Sequence, residues 1–402
     1  MTDRQILRGL AARYAEYANG AKNAQRELLH RAVNNNKAQR PIVLAEEIPW
    51  HEIDDASLAL QCADPRWQGM EQWLRRNLWH WENLDTDLVL RRFVSVRKQV
   101  DFSSIGVEKL VDEHSSGKQA VAFVDQLAKE EALAKLTNQT LTYDAAATQD
   151  RAQRVMEMVG DILPVQVVGL PSGYGLGHKP WDDISFLRGD GNIMEDLFDR
   201  PEFMHATVAR LVDIFLDTVE QMNAQELWDT DVIDCHCASA LCDDLHPDRE
   251  HPHSKGIWGR ALAQILACVS PAMHDEFDIQ YAIRAMEPFG LVYYGCCEPL
   301  DRKIDILSQI PNLRKISITP WADYERACSQ IAGKWVVSAK PHPAAVAGFD
   351  AEGVEKELRH ILGICRAHSC ACEMVLKDIS TINGDPQNLI QWSRLAMRLA
   401  HE

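Results

Sequence analysis

The sequence predicts an α/β fold, a (β/α)8 TIM barrel with a helical N-terminal extension, and three observations support this prediction. The last hundred or so residues hold four successive strand-helix units, which imply parallel strands joined by crossover helices. No Gly-x-Gly-x-x-Gly turn follows any apolar run, which disfavours an open doubly wound sheet. Polar residues follow several apolar runs, as expected for a barrel whose strand ends converge on one site. The four units are LVYYGC with helix 300–310, LRKISI with 323–332, KWVVSAK with 351–367 and EMVLKDI with 386–400.

The N-terminal part of the chain is expected to form a helical extension. Residues 3–36 have the periodicity of two helical segments, and the apolar run Pro41–Ala45 then predicts a first strand. We therefore divide the chain into an extension, residues 1–36, and a barrel, residues 37–402. The middle of the chain predicts, in order, a helix over 68–81, a strand in DLVLRRFVSV, helices near 119–136 and 148–159, a strand in PVQVVGL, helices through 193–227, a strand in DVIDCHC and helices through 257–288.

Composition and charge exclude several classes of protein. No apolar run reaches the roughly 18 to 20 residues that span a bilayer, and the N-terminus lacks the features of a secretory signal, so we expect a cytoplasmic protein without a membrane partner. With a net charge of -17 and no basic stripe, the chain is not expected to bind nucleic acid. The 11 cysteines are odd in number and clustered, which favours reduced thiols, some available to a metal, over a disulfide framework.

The first two polar clusters follow the runs PIVLA and DVIDC. Glu46, Glu47, Trp50 and His51 could bind a cationic or hydrogen-bonding substrate, although a solvated loop explains them equally well. In the second cluster, His236 and Cys237 are ligand types for a thiophilic cation. Their spacing is not that of a zinc finger, so a chance grouping is as well supported as a metal site.

The third cluster is Cys296-Cys297-Glu298, after LVYYG. Side chains alternate along a strand, so the two thiols point to opposite faces unless the strand has already ended. Cysteine is common as a small buried residue, whereas the charged side chain of Glu298 cannot be explained by packing in an apolar core.

Two further clusters follow WVVSA and EMVL, and a glycine-rich loop lies earlier in the chain. Lys340 and His342 offer a cation and an imidazole on a stiff proline turn, although a histidine between two prolines is more often exposed than catalytic. Asp378 follows a lysine near the end of an apolar strand, where a charge needs a partner. The loop over 172–183 is not a nucleotide signature but could cover the site, with His178 and Trp181 facing it.

Residues of the C-terminal half resemble a known family. The runs GLVYYGCCEPLDRKIDIL, NLRKISITPWADYERACSQIAGKWVVSAKPHP and MVLKDIS…DPQNLIQW resemble the uroporphyrinogen decarboxylase superfamily, in particular its corrinoid-linked methyltransferase branch. By this resemblance Cys296 matches a zinc thiolate of the family's His-x-Cys-Gly motif, whereas Tyr294 stands where the motif has its histidine. Asp378 lies near the place of the family's second thiolate.

The resemblance implies a methyltransferase that moves a methyl group between a small methylated substrate and a corrinoid protein. Zinc would assist the transfer, and cobalamin would be carried by the partner, because no Asp-x-His-x-x-Gly motif is present. Two alternatives remain, a cofactor-free lyase or decarboxylase and a binding barrel without chemistry; a homo-oligomer is also left open. The expected catalytic residues are Glu298, Asp378 and Lys340, the expected substrate-binding residues are Glu46, Glu47, Trp50, His51, His178, Trp181, Tyr294 and His342, and the expected metal ligands are Cys296, Cys297, His236 and Cys237.

Overall fold

The structure is a computed structural model that describes residues 1–38, 40–111, 122–173 and 176–402. Its strands are β1 (Ile42–Ala45), β2 (Val94–Arg97), β3 (Gln99–Phe102), β4 (Leu141–Asp144), β5 (Val165–Val168), β6 (Trp258–Ala261), β7 (Leu291–Tyr294), β8 (Leu313–Ile318), β9 (Val336–Ala339) and β10 (Cys372–Leu376). Its α-helices are α1 (Asp3–Ala18), α2 (Ala21–Asn34), α3 (Pro65–Asn83), α4 (Ala145–Val159), α5 (Pro180–Arg188), α6 (Asp190–Asp199), α7 (Pro201–Ala224), α8 (Pro271–His274), α9 (Gln280–Met286), α10 (Ile304–Leu307), α11 (Tyr324–Ile331), α12 (Ala351–Ala367) and α13 (Pro386–Ala400).

A parallel sheet of six strands organises the fold, in the order β1-β10-β9-β8-β7-β6. Every residue of β1, β6, β7, β9 and β10 is buried, as expected for parallel strands covered on both faces. Two further strands, β2 and β5, form a separate parallel pair, and β3 with β4 forms a small antiparallel sheet. The α/β class with a parallel sheet is therefore confirmed.

A closed eight-stranded barrel is not confirmed, because no strand ladder joins β1 to β2 in the described residues. In its place Asp87 bonds the edge of β1: its N–H donates to the Val43 carbonyl at 2.8 Å, and its carboxylate accepts the Val43 N–H at 2.9 Å. A side chain thus satisfies a backbone group that a neighbouring strand would otherwise pair. On the other side, isolated parallel bridges, Leu170 with Trp228 and His178 with Ala261, lead from the β2–β5 pair towards β6.

The C-terminal helices agree with the sequence prediction because their starts are encoded locally. Asp323, Asp350 and Asp385 are N-caps whose carboxylates accept backbone N–H groups at the starts of α11, α12 and α13. α12 and α13 have the predicted bounds, whereas the predicted helix 300–310 shortens to the four residues of α10.

Three predicted elements in the middle of the chain are different in the structure. The span 257–288, expected to be helical, begins with strand β6, whose four residues are all buried and so give no alternating pattern. The run DVIDCHC does not form a ladder strand but ends in a tight turn. Part of the expected helix near 119–136 lies outside the described residues, and residues Glu130–Lys135 form a 3-10 helix.

The two N-terminal helices pack differently: α1 lies against α3, whereas α2 contacts β1 of the six-stranded sheet. Leu7 and Tyr14 of α1 join Leu74 and Trp81 of α3 in a hydrophobic cluster that is separate from the main core. The division into an extension and a barrel stays a prediction. Among the described residues, no helix combines the length and the apolar composition needed to cross a membrane.

Candidate active site

Several predicted residues meet at the carboxyl edge of the six-stranded sheet. Glu47 follows β1, Cys296 follows β7, Lys340 follows β9 and Lys377 follows β10. Because these strands are parallel members of one sheet, their carboxyl ends lie at the same edge. Side chains that are far apart in the sequence therefore surround one small volume.

The two adjacent cysteines face the same site. β7 ends at Tyr294, and Gly295 then adopts a φ of 97°, a conformation that favours glycine. With strand alternation broken, Cys296 Sγ and Cys297 Sγ lie 3.6 Å apart. The ammonium of Lys377 lies 3.4 Å from each sulfur.

This arrangement favours one thiolate and one thiol. The hydrogen bond from Cys297 holds the pKa of Cys296 far below that of an ordinary thiol, and His236 and Lys377 lower it further against the cost of burial. The same hydrogen bond and the negative charge on Cys296 raise the pKa of Cys297. Of the two cysteines, Cys296 therefore has the thiolate character that a nucleophile or a metal ligand requires.

Asp378 and Glu47 continue the site on its open side. The Asp378 carboxylate lies 2.9 Å from Lys377 Nζ and 3.2 Å from Cys297 Sγ. Its backbone N–H donates to Glu47 at 2.9 Å, which ties the end of β10 to the end of β1. Burial alone would raise the pKa of Asp378, but Lys377 outweighs it, so this pKa is lowered.

A hairpin turn brings His236 and Cys237 to the same place. Cys235 N–H donates to the Ala238 carbonyl at 2.8 Å, and both central residues have positive φ, 46° for His236 and 54° for Cys237, as in a type I′ turn. The turn points the imidazole at the thiol pair, with His236 Nε2 lying 3.6 Å from Cys296 Sγ.

Unfavourable backbone conformations are concentrated at this site. Glu47, His236, Cys237 and Asp378 all have φ between 46° and 56°, although none is glycine or asparagine. Such residues cost free energy that the surrounding fold must offset, and they cluster at functional sites. The strained positions are thus the same residues that carry the acids, the imidazole and a thiol.

One group at the site has the donor set of a metal centre. Glu47, His236 and Cys237 each offer a ligand atom, and these three atoms lie within 4.8 Å of one another. Carboxylate, imidazole and thiolate are all zinc ligands. Cys296 contacts this group through His236, whereas Cys297 lies on the far side of the thiol pair beside Asp378.

Glu298 lies beneath the thiols, where it holds their loop. It is almost completely buried, and it accepts the N–H groups of Cys296 at 2.9 Å and Ala263 at 3.2 Å. Burial and then the Cys296 charge raise its pKa. Its contacts are those of a residue that positions the thiolate.

Lys340 holds the hairpin in a similar way. Its ammonium donates to the Cys237 carbonyl at 2.7 Å and to Ser338 Oγ at 2.8 Å. Below it, the buried pair Lys315 and Glu373 bonds Ser239 from both sides, through its carbonyl at 2.7 Å and its N–H at 3.0 Å. Buried charged side chains therefore hold the backbone that carries the His236 imidazole.

Three predicted substrate-binding residues lie in the protein interior and not among the thiols. Tyr294 donates to buried Asp278 at 2.6 Å and contacts His274 at 2.7 Å. His178 lies 3.6 Å from the other oxygen of Asp278, and Trp181 is fully buried in the core. Their role in binding substrate stays a prediction.

The remaining predicted substrate-binding residues are spread around the edge. Glu46 lines a large cavity beside the site, where burial and then Asp234 raise its pKa to about 8. Trp50 packs on Trp79, and His51 is exposed. His342 is exposed and has its ring edge against Trp321.

Three residues near the thiols have no role in the sequence prediction. Lys377 is the first of these, since the prediction for this strand end is its neighbour Asp378. Arg260 is buried in β6, its charge helps to lower the pKa of Cys296, and two of its nitrogens have no hydrogen-bond partner among the described residues. The sequence signal that could have identified Arg260 is an arginine within the otherwise apolar run WGRA. Trp321, 63% exposed, lines a small pocket with both cysteines and had no signal beyond being a tryptophan.

Comparisons with known proteins bear on the fold. No family model and no curated protein sequence matches this chain. A solved structure, a methyltransferase from Methanosarcina mazei, superposes with a TM-score of 0.50 at 11% sequence identity, and the match covers 94% of this chain and 98% of that one. The likeness is one of fold. The chemistry has to be argued from the residues of this chain.

Proposed function

We propose that this protein is a methyltransferase that moves a methyl group between a small methylated substrate and a corrinoid carried by a partner protein. The observation that carries the proposal is the Cys296 thiolate, held beside Lys377 and His236 at the carboxyl edge of the sheet. Membership of the uroporphyrinogen decarboxylase superfamily remains a prediction from the sequence. A fold shared with a protein described as a methyltransferase is consistent with the proposal at the level of architecture.

Zinc fits the residues that are present. Glu47, His236 and Cys237 supply three donors of the types that zinc takes, and burial raises the pKa of Cys237, so a cation would stabilise its thiolate. His236 Nε2 and Cys296 Sγ are 3.6 Å apart, close to the separation of about 3.6 Å between nitrogen and sulfur ligands in tetrahedral zinc sites. Bound zinc would stabilise a thiolate or polarise the heteroatom that carries the methyl group.

Lys377 would place a positive charge beside the heteroatom that loses the methyl group, and Asp378 would connect this lysine to solvent. A heteroatom that loses a methyl group keeps the bonding electron pair and takes up a proton. Burial lowers the pKa of Lys377, but the charges of Cys296 and Asp378 raise this pKa by a larger amount, so the ammonium stays protonated. Asp378, whose side chain is 49% exposed, connects that ammonium to solvent, from which the proton for the heteroatom would come.

The test uses free methylcobalamin in place of the corrinoid protein. Purified protein is mixed anaerobically with methylcobalamin and 2-mercaptoethanol, and loss of the methyl group is followed by absorbance. We expect turnover in the wild type, loss of turnover in Cys296→Ser, and no effect of Cys268→Ser, which alters an exposed thiol. Equal turnover in Cys296→Ser would reject the thiolate mechanism.

Metal content tests the zinc part separately. Protein from zinc-replete medium should contain about one zinc per chain. His236→Ala and Cys237→Ser should lose it, whereas the exposed-residue variant His51→Ala should keep it. A metal-free wild type would remove zinc from the proposal without affecting the thiolate result.

One observation favours the alternative of a cofactor-free lyase or decarboxylase. With a pKa of about 8, Glu46 is a carboxyl that can donate a proton at neutral pH. This alternative predicts activity that survives a chelator and fails in Glu46→Gln. A binding barrel without chemistry predicts ligand binding with no turnover in either assay.

A further inference from the structure

A large cavity of about 920 Å³ lies between the edge of β1 and the β2–β5 pair, where the strand ladder is interrupted. Its volume is in the range that encloses a small organic ligand. The apolar part of its wall comes from the helices that cover this gap and includes Tyr14, Trp67, Met70, Trp73 and Val155. The cavity is therefore distinct from the small pocket over the thiols.

The lining is unusually rich in arginine for a chain with a net charge of -17. Five arginines contribute to it, and four of them are already bound within the chain: Arg66 to Asp64, Arg91 to Asp229, Arg151 to Gln99 and Arg154 to Asp150. Arg97 is the exception, since its guanidinium makes no hydrogen bond or ion pair within the described ranges of the chain. It offers a planar fork of donors suited to a carboxylate.

Two carboxyl groups, those of Glu46 and Asp234, line the cavity near Arg97. Burial raises the pKa of both carboxyls, and the charges of Arg91 and then Arg97 oppose this rise at Asp234, so a cation bound beside them would favour their ionised forms. Neither side chain makes a hydrogen bond or ion pair with any other described residue. Carboxyl groups that face a cavity without a partner can be satisfied by a cationic group of a ligand.

We propose that this cavity binds an amphiphilic zwitterion, with its carboxylate on Arg97, its cationic group between Glu46 and Asp234, and its apolar part against the tryptophans. Opposite charges placed side by side select a ligand that carries both, because a plain anion leaves the acids unpaired and a plain cation leaves the arginine unpaired. In methyl transfer the cationic group would carry the methyl that is moved; that last assignment, unlike the binding itself, rests on the proposed function.

The test compares three probes that share an eight-carbon acyl chain. O-octanoylcarnitine is the zwitterion, octanoylcholine has the cation alone, and octanoate has the carboxylate alone. Titration calorimetry of the purified protein should give the zwitterion an affinity at least about tenfold above either of the others, since octanoylcholine lacks the charged hydrogen bond to Arg97 and octanoate lacks the ion pair with the acids. Equal affinity for octanoate, or no binding of the zwitterion, would overturn the proposal.

Substitutions test which residue binds each of the two charges of the ligand. Arg97→Gln should remove the higher affinity of the zwitterion over octanoylcholine. Asp234→Asn should remove the higher affinity of the zwitterion over octanoate. Arg154→Gln, a lining arginine already paired with Asp150, is the matched control and should bind as the wild type does. Arg97→Lys keeps the charge and should recover part of the affinity, which separates loss of a contact from loss of folding. Unchanged affinity in Arg97→Gln would also overturn the proposal. Because no step requires turnover, the result stands whether or not methyl transfer is observed.

Discussion

The ammonium of Lys377 lies 3.4 Å from the sulfur of Cys296. A lysine this close to a buried thiol supplies the positive charge that a thiolate needs away from water. It also donates to Cys297, so the charge is shared across the pair. The site therefore carries an activated sulfur even in the absence of a metal.

Lys377→Gln is expected to make Cys296 behave more like an ordinary thiol. Removing an opposite charge at this distance raises a thiol pKa by about one unit or more, because the thiolate loses its electrostatic partner. The pH midpoint for alkylation by iodoacetamide, measured on chelator-treated protein with the site identified by mass spectrometry, should move upward by that amount. Lys356→Gln, which removes an exposed lysine, serves as the control. An unmoved midpoint in Lys377→Gln would contradict the role given to this lysine.

Lys315→Met is expected to destabilise the protein strongly. Lys315 and Glu373 lie 2.8 Å apart with both side chains fully buried, so removing the lysine leaves a buried charge without its partner. The cost should be about 3 to 5 kcal/mol in the free energy of unfolding, measured with urea. Replacing Glu373 with Leu as well should recover most of the loss. The surface variant Arg359→Met should leave the unfolding midpoint nearly unchanged, and a similar result for Lys315→Met would count against the buried pair.

His30 should make folding stability depend on pH. Burial lowers its pKa from 6.5 to about 4, so the unfolded chain binds a proton that the folded chain does not. The stability it contributes is full above pH 6.5 and is lost as the pH falls towards 4, by about 1.4 kcal/mol for each unit. His30→Gln should therefore show a shallower loss of urea midpoint between pH 6.5 and 4. His51→Gln, at an exposed position, should follow the wild type; a slope unchanged in His30→Gln would refute the assignment.

The part of the fold that the sequence predicted well is the part encoded locally. Helices α12 and α13 carry aspartate caps and strong periodicity, so their bounds could be read from neighbouring residues. β6 was missed because four consecutive buried residues have no period. Closure of the barrel was expected from the strand-helix units, the absence of a glycine-rich turn and the polar residues after the strands, and none of these could show that Asp87 takes the place of a strand beside Val43.

The candidate site was predicted residue by residue but not as an arrangement. Sequence reasoning selected Cys296, Cys297, His236 and Asp378 from their positions after apolar runs. It could not show that Gly295 ends the strand early and turns both thiols to one face, which depends on a single backbone torsion. Nor could it show that the hydroxyl of Tyr294 bonds Asp278 in the interior.

The hydrogen bond between Asp378 and Glu47 joins residues 331 positions apart in the sequence. Contacts of such long range form late in folding, because the entropy of closing the loop must be offset first by other contacts. Lys377 reaches the thiols only after β10 has docked beside β1. During synthesis the two cysteines thus emerge as ordinary, weakly reactive thiols, and the last strand to be made activates them.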